Sequence, residues 1–250
     1  MTYGRLKSNI FSKSFRDIKN EGFIYFFIKT FRFFYHKYLQ KNANRITKKL
    51  LKKQKEYFIF NNKKIPYLIN AYNLSWMNER TIEIPIILEL IKKVKAKRIL
   101  EVGAVLQHYI EINWDVVDKF EKGDKRVLNL DIVDFKPKKK YDLILSISTL
   151  EHIGFDDENN PEKIISAIKN IKQILKKNGI FVATMPLGYN KYMDKLIFNK
   201  KIDFDEIYFM KRISRKNKWK QVNINEVKNV RYNYPYNNAN AIVIAIYRNK

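Results

Sequence analysis

The chain contains no cysteine. That excludes disulfides, thiolate metal sites, iron–sulfur clusters and a cysteine nucleophile. A reducing compartment is compatible with the absence. Acidic residues are scarce as well: 25 Asp and Glu stand against 50 Lys and Arg, a formal net charge of +25. The deficit is uneven. Residues 1–64 hold 17 basic and 3 acidic side chains, a net of +14; residues 65–190 hold 19 and 17, a net of +2; residues 191–250 hold 14 and 5, a net of +9. A uniform coding bias toward lysine would not leave the middle nearly neutral. The basic ends therefore read as a surface for something anionic: membrane, nucleic acid or an acidic substrate.

A membrane-length apolar run is also missing. The best candidate, FIYFFIKTFRFFYHKYL from Phe23 to Leu39, spans 17 residues and carries Lys29 and Arg32. Crossing a bilayer takes roughly 20 mostly apolar residues. The long polar lead and the lack of a small-residue cleavage site fit a signal peptide poorly. The spacing instead predicts an amphipathic helix. Ile24, Phe27, Ile28, Phe31, Phe34, Tyr35 and Tyr38 share one stripe, with Lys29, Arg32, His36 and Gln40 opposite. Such a stripe suits either a membrane interface or packing on protein, whether the main domain or a second subunit.

The chain has 250 residues, of which 46% are hydrophobic. Global disorder is excluded, and there is chain enough for one large domain with an appendage. EYFIFNNKKIPYLIN (Glu56 to Asn70) reads as a hairpin around Asn61 and Asn62. A boundary near residue 64 separates a basic N-terminal region, 1–64, from a domain over 65–250. There, helical and strand patterns alternate. A helix is expected over Thr81 to Ala96, with Pro85 as a first-turn residue. Strands are expected at RILEVG, DVVDKF (Asp115 to Phe120), within RVLNLDIVDF (Arg126 to Phe135), at YDLILSIST (Tyr141 to Thr149), IFVATMP (Ile180 to Pro186), WKQVN (Trp219 to Asn223) and AIVIAIYR (Ala241 to Arg248). The helix PEKIISAIKNIKQILKK (Pro161 to Lys177) is expected to stop at Asn178-Gly179. Alternation of this kind implies a mainly parallel sheet covered on both faces, with ligands at the carboxyl ends of the strands.

Each strand end carries a signal. The first ends Glu101-Val102-Gly103, the second carries Asp118, the third is followed by Asp131, and the fourth runs into Leu150-Glu151-His152. An acid after the second strand can accept from a ribose diol, and one after the third can accept from an exocyclic amine of adenine. Singly, each is as well read as a helix cap or turn residue. Together and in order they are more specific.

ILEVG, VVD, LDIVDF, YDLILSISTLEHIG, the Asn-Gly turn and FVATMPLGYN resemble the class I S-adenosylmethionine-dependent methyltransferases over roughly residues 81–190. The resemblance implies an α/β fold with a Rossmann-like, seven-stranded, mainly parallel sheet, here bearing a basic N-terminal helical extension. It implies S-adenosyl-L-methionine as cofactor. Glu101 and Gly103 would lie at its methionine and ribose side, Asp118 at the ribose hydroxyls, Asp131 and Ile132 about the adenine. Ser146 to His152 would border cofactor and substrate.

Two departures stand out. Val105 and Gln107 occupy positions where the family usually has glycine. Only about a dozen residues separate Asp118 from Asp131, too few for the usual intervening helix. A cofactor without pyrophosphate does not need the full glycine set.

Glu151 and His152 are the candidates for acid–base work, an imidazole being suited to proton transfer near neutrality. His152 reads equally as a residue that shapes the pocket. Quinone-biosynthetic O-methyltransferases have a similar segment in which an extra glutamate helps form a metal site. Here Ser148 precedes Glu151 by three residues, and no metal is expected. Upstream, Arg80 is expected to pair with the methionine carboxylate and Glu79, Glu83 or Trp76 to line the substrate side, unless these form an ion-pair and capping network. Tyr189 and Asn190, after the fifth strand, are further substrate candidates, with a turn at Gly188 as the plain alternative.

The function this implies is methyl transfer to an O or N nucleophile of a small molecule, glycan or lipid-linked intermediate. The expected location is cytoplasmic, peripheral at the inner face of a membrane through residues 1–64. A nucleic-acid (RNA) methyltransferase ranks below it, because STLEHIG replaces the Asn/Asp-Pro-Pro-aromatic motif of exocyclic-amine methylation. A non-catalytic binding module that kept the fold is the third reading.

Overall fold

A computed structural model describes residues 31, 34–53, 56–156 and 158–250. The chain forms two compact units, residues 1–53 and 54–250. In the first, residues 34–40 are helical and α1 follows at Ala43–Lys53. The aromatic stripe expected from residue 23 onward lies outside the described residues up to residue 30. Its described members Phe31, Phe34, Tyr35 and Tyr38 are exposed, and Phe31 stacks on Tyr35.

The second unit opens with the expected hairpin, β1 (Tyr57–Phe60) and β2 (Lys63–Pro66). Asn61 and Asn62 both take left-handed φ, +47° and +61°, which a tight two-residue turn requires and Asn tolerates. The hairpin packs with this unit: Asn61 N–H donates to Gln221 Oε1.

The main sheet has eight strands: β3 (Ile99–Val102), β4 (Asp115–Val117), β5 (Val127–Leu128), β6 (Tyr141–Ile147), β7 (Leu175–Pro186), β8 (Glu206–Arg212), β9 (Trp219–Val222) and β10 (Ala241–Arg248). Their spatial order is β5-β4-β3-β6-β7-β10-β8-β9. The first five in sequence are parallel neighbours, while β10 runs antiparallel between β7 and β8, and β9 pairs antiparallel to β8. This is a Rossmann-like, mostly parallel α/β sheet. The chain reverses its winding between β3 and β6, so the switch point lies at their carboxyl ends.

Among the described residues three helices surround it: α2 (Arg80–Lys93), α3 (Lys163–Gln173) and α4 (Lys191–Phe198). The α3–α4 face buries Ile164, Ile168, Ile171, Met193 and Ile197 against Ile144, Phe181 and Val243. The α2–hairpin face buries Ile82, Ile86, Phe58 and Ile65 against Leu145, Val182 and Ile244. Both faces are covered, which is why β6 and β10 read as nearly unbroken apolar runs.

Several local expectations change. The sheet has one strand more than expected, because EIYFMKR forms β8 despite its charges. Pro85 sits in the interior of α2 rather than in its first turn. The Thr81 carbonyl that Pro85 cannot engage accepts instead from Leu68 N–H (2.9 Å), and Thr81 Oγ1 donates back to the Leu68 carbonyl (2.9 Å). Asn178-Gly179 does not end α3: the helix stops at Gln173, and the pair falls in an irregularity of β7, where the register with β6 jumps. β5 ends at Leu128, three residues before Asp131. As the spacing implies, no helix separates β4 from β5, and the β3–β4 crossover holds only a 3-10 turn at Leu106–His108.

Candidate functional site

The segment after β3 explains its own lack of glycine. Gly103 has φ +92°, and a Cβ there would stand 2.1 Å from Thr149 Oγ1. This is where the loops leaving β3 and β6 cross, and only glycine fits. The next three N–H groups are all consumed by acids. Ala104 N–H donates to Asp118 Oδ2 (3.0 Å), and Val105 and Leu106 N–H donate to Glu101 Oε1 (2.9 and 2.7 Å). Glu101 is fully buried, and Trp114 Nε1 donates to its second oxygen at 3.4 Å. Burial raises its carboxyl to about 7, against the pull of those donors.

Asp118 Oδ1 also accepts from Phe120 and Glu121 N–H (2.7 and 2.9 Å). A carboxylate has about four acceptor positions; three are taken, which leaves one on Oδ2. Asp131 is engaged differently. Its Oδ1 accepts from Val133 N–H, and its Oδ2 pairs with Lys163 Nζ (2.7 Å) and faces Lys119 Nζ (3.4 Å). Burial pushes the Asp131 carboxyl up, and Lys163 and Val133 bring it below its usual range. Ile132 is buried in the α3-side core, and its carbonyl accepts from Asn170 Nδ2. Ser146 is fully buried on β6, its Oγ without a partner.

Beyond β6 lies a second group. Ser148 holds φ +40°, unusual for a residue with a side chain. Its N–H donates to the Thr184 carbonyl (2.8 Å) and its Oγ to Glu83 Oε1 (2.7 Å). Glu83 is fully buried and pairs with Arg80 Nη1 at 2.6 Å. Arg80 is thus held within the protein, in the ion-pair network that stands as the alternative to a cofactor carboxylate. Burial depresses Arg80, but Glu83 and Glu79 raise it further, and it stays a cation. Glu79 Oε2 accepts from Ala239 N–H (3.2 Å); burial first, then Glu83, raises its carboxyl.

Glu151 is 1% exposed, and neither carboxylate oxygen has a hydrogen-bond partner. Burial raises it well above the ordinary carboxylate range. His152 Nδ1 hydrogen-bonds Asp156 Oδ2, which turns Nε2 toward Glu151 Oε1 at 3.5 Å. Tyr189 packs edge-on against both His152 and Tyr232 (5.0 and 5.1 Å), and its hydroxyl donates to Asp156 (2.8 Å). Asn190 caps α4, accepting from Tyr192 and Met193 N–H, and its Nδ2 donates to the Glu151 carbonyl (2.8 Å). It holds the Glu151 backbone in place. Trp76 is half-buried in a 3-10 turn before α2, and its carbonyl accepts from Asn217 Nδ2.

The structure therefore places the expected residues in two groups flanking β6. Gly103, Glu101 and Asp118 stand over β3 and β4, with Asp131 on the β5 side. Glu151, His152 and Tyr189 gather on the β7 side, and Arg80 stands between the two groups, its charge acting on Glu101 and Tyr109 as well as on Glu151. Sequence reasoning missed Tyr109, Tyr232 and Asp156. Tyr109 lies at the end of the segment that follows β3, and its hydroxyl is buried without a partner. Tyr232 comes from a loop with no pattern. Among the described residues, six of the eight buried side-chain polar atoms lacking a partner belong to Gln107, Tyr109, Ser146, Glu151 and Thr184, all in or just beyond β3, β6 and β7. Such groups are rarely left unpaired unless a ligand or water completes them.

No protein-family model matches the chain, and no curated protein matches it. Solved structures similar to it include S-adenosylmethionine-dependent methyltransferases. The N-methyltransferase NodS from Bradyrhizobium japonicum WM9, in complex with S-adenosyl-L-homocysteine, is 14% identical over 68% of this chain and 87% of that one, with a TM-score of 0.44. An S-adenosylmethionine-dependent methyltransferase from Clostridium acetobutylicum is 12% identical over 64% and 88%, with a TM-score of 0.37. An rRNA methylase from Streptococcus thermophilus is 8% identical over 67% and 97%, with a TM-score of 0.41.

Proposed function

We propose that the chain is an S-adenosylmethionine-dependent methyltransferase acting on a small-molecule, glycan or lipid-linked acceptor. One observation carries the choice of cofactor. The N–H groups of Ala104, Val105 and Leu106 point at Asp118 and Glu101. In a dinucleotide site those groups would face phosphate. Two carboxylates in their place repel a pyrophosphate and suit a cofactor that is free of phosphate and carries a sulfonium.

The residues present fit that cofactor. The last acceptor position of Asp118 can take one ribose hydroxyl. Gly103 lets the two loops close beneath it, and the unpaired hydroxyls of Ser146 and Tyr109 offer polar contacts. When bound, the cofactor supplies a methyl group on positively charged sulfur. The protein's part is alignment, exclusion of water and management of the nucleophile's proton. The Asp156–His152–Glu151 chain is placed to manage that proton, since Asp156 orients the ring and Nε2 faces Glu151.

Isothermal titration tests this reading. S-adenosylmethionine and S-adenosylhomocysteine should both bind in the micromolar range, and Asp118→Asn should weaken them about tenfold, one charge-assisted hydrogen bond being worth about 1.5–3 kcal/mol. NAD should give no heat. Absence of heat with either sulfur compound at millimolar concentration overturns the proposal. The net charge of +14 in residues 1–64 and the aromatic stripe within them support a peripheral position on an anionic membrane. Among the described residues no helix is long and apolar enough to cross one.

A further inference from the structure

We propose that the acceptor is a cationic amine, recognised by the carboxylate of Glu151 at the edge of the buried acid cluster it forms with Glu83 and Glu79. The inference rests on the methyl-transfer reading and names the acceptor class within it.

The cluster has three buried carboxyl groups, 1%, 0% and 8% exposed for Glu151, Glu83 and Glu79. Two guanidinium groups answer them. Arg80 pairs directly with Glu83. Arg212 lies within electrostatic reach of Glu79, although its own hydrogens go to the carbonyls of Ser214, Asn237 and Arg215. Glu151 has no guanidinium of its own; among the described residues only His152 Nε2 faces it, at 3.5 Å from Oε1. It lies within electrostatic reach of Glu83, Arg80 and Glu79, and both its oxygens lack a donor. A buried carboxylate without donors is costly unless a partner arrives. An ammonium group would provide both the charge and up to three N–H donors.

The surrounding rings favour the same guest. Tyr189 and Tyr232 stand beside the cluster, Tyr232 within electrostatic reach of both Glu79 and Glu151. Tyr109 lies within reach of Arg80, Glu83 and Glu79. Aromatic faces attract organic cations. A metal ion is a poorer occupant: among the described residues, no three Asp, Glu or His side chains are arranged to hold one.

The arrangement also deals with the proton. An ammonium nitrogen has no lone pair, so its proton must leave first. In the ion pair with the ammonium the Glu151 carboxyl is held as the anion, and the proton then passes to it, giving a neutral amine and a protonated carboxyl, with His152 Nε2 next in line. The amine nitrogen then forms its bond to the methyl carbon as the carbon–sulfur bond breaks, both electrons staying on sulfur. The products are a methylated ammonium and a neutral thioether.

The test is titration of the full chain, with and without saturating S-adenosylhomocysteine, using amine and hydroxyl isosteres: 2-phenylethylamine against 2-phenylethanol, and glucosamine against glucose. At least one amine should bind ten times or more tightly than its isostere. Glu151→Gln, which mimics the protonated carboxyl and should leave the fold intact by circular dichroism, should erase that preference while changing S-adenosylhomocysteine affinity less than twofold. Equal binding within both pairs, or no binding by any of the four, overturns the proposal. So does a preference that survives in Glu151→Gln. A tenfold loss of S-adenosylhomocysteine affinity in that variant would assign the cluster to the amino group of the cofactor instead. If S-adenosylhomocysteine does not bind the unaltered chain at all, the methyltransferase reading fails, whereas the amine preference measured without it stands or falls separately.

Discussion

Glu101 shows what a buried acid does when the backbone is its partner. It holds Val105 and Leu106 in place, yet burial lifts its carboxyl from 4.5 to about 7. A carboxyl raised on folding contributes stability that is fully present below the unfolded value of 4.5 and is lost as pH climbs through about 7. The loss corresponds to roughly 3 kcal/mol at 1.36 kcal/mol per pKa unit. Glu101→Gln keeps an acceptor for both N–H groups and cannot ionise. Urea midpoints at pH 4.5 and pH 8 should therefore differ less in the variant than in the parent. An identical pH slope in the two would show that Glu101 does not carry the dependence. At this scale the sequence was a partial guide. Acids at strand ends were legible because they sit at fixed distances along the chain. Whether Asp118 faces a ligand or its neighbours' N–H groups was not, since that depends on how a glycine-poor loop folds back. Tyr232 was invisible, because a tyrosine in a loop carries no pattern until the loop is placed.

Elements were legible where burial on both faces forces an apolar run, as in β6 and β10. They failed where tertiary packing overrides the local signal. β8 reads as charged (EIYFMKR) because it lies toward the edge of the sheet. Its Glu206 and Arg248 of β10 pair with each other, so charge there marks a paired strand rather than a loop. Pro85 misled because its cost to the helix is offset at a distance by Leu68. On the opposite side, β4 and β5 have three and two residues and no covering helix between them, and Phe120, Leu128 and Leu130 are exposed. Local opening should be cheapest there, with few buried contacts to hold it. Amide hydrogen exchange should be fastest at residues 116–130 within the sheet. Saturating S-adenosylhomocysteine should slow it at least tenfold there and little in β7 or β10. Unchanged exchange at 116–130 would remove that edge from the binding site.

Along the whole chain the charge is unevenly spread. The middle of the chain is nearly neutral, and the excess lies at its two ends. Because the hairpin at Tyr57–Pro66 belongs to the second unit, a clean truncation removes residues 1–53 rather than 1–64. The full chain should float with phosphatidylserine-containing vesicles in 0.1 M salt and be released as salt is raised, each basic residue near the surface being worth about 1 kcal/mol. Removing residues 1–53 should abolish flotation; persistence would move the contact to the basic C-terminal region. The loop after β3 has a different consequence, for selectivity. For the proposed adenosyl cofactor, the chemically nearest competitors are adenosine phosphates. Carboxylates already seated on the N–H groups that would welcome a phosphate select against them without any added barrier.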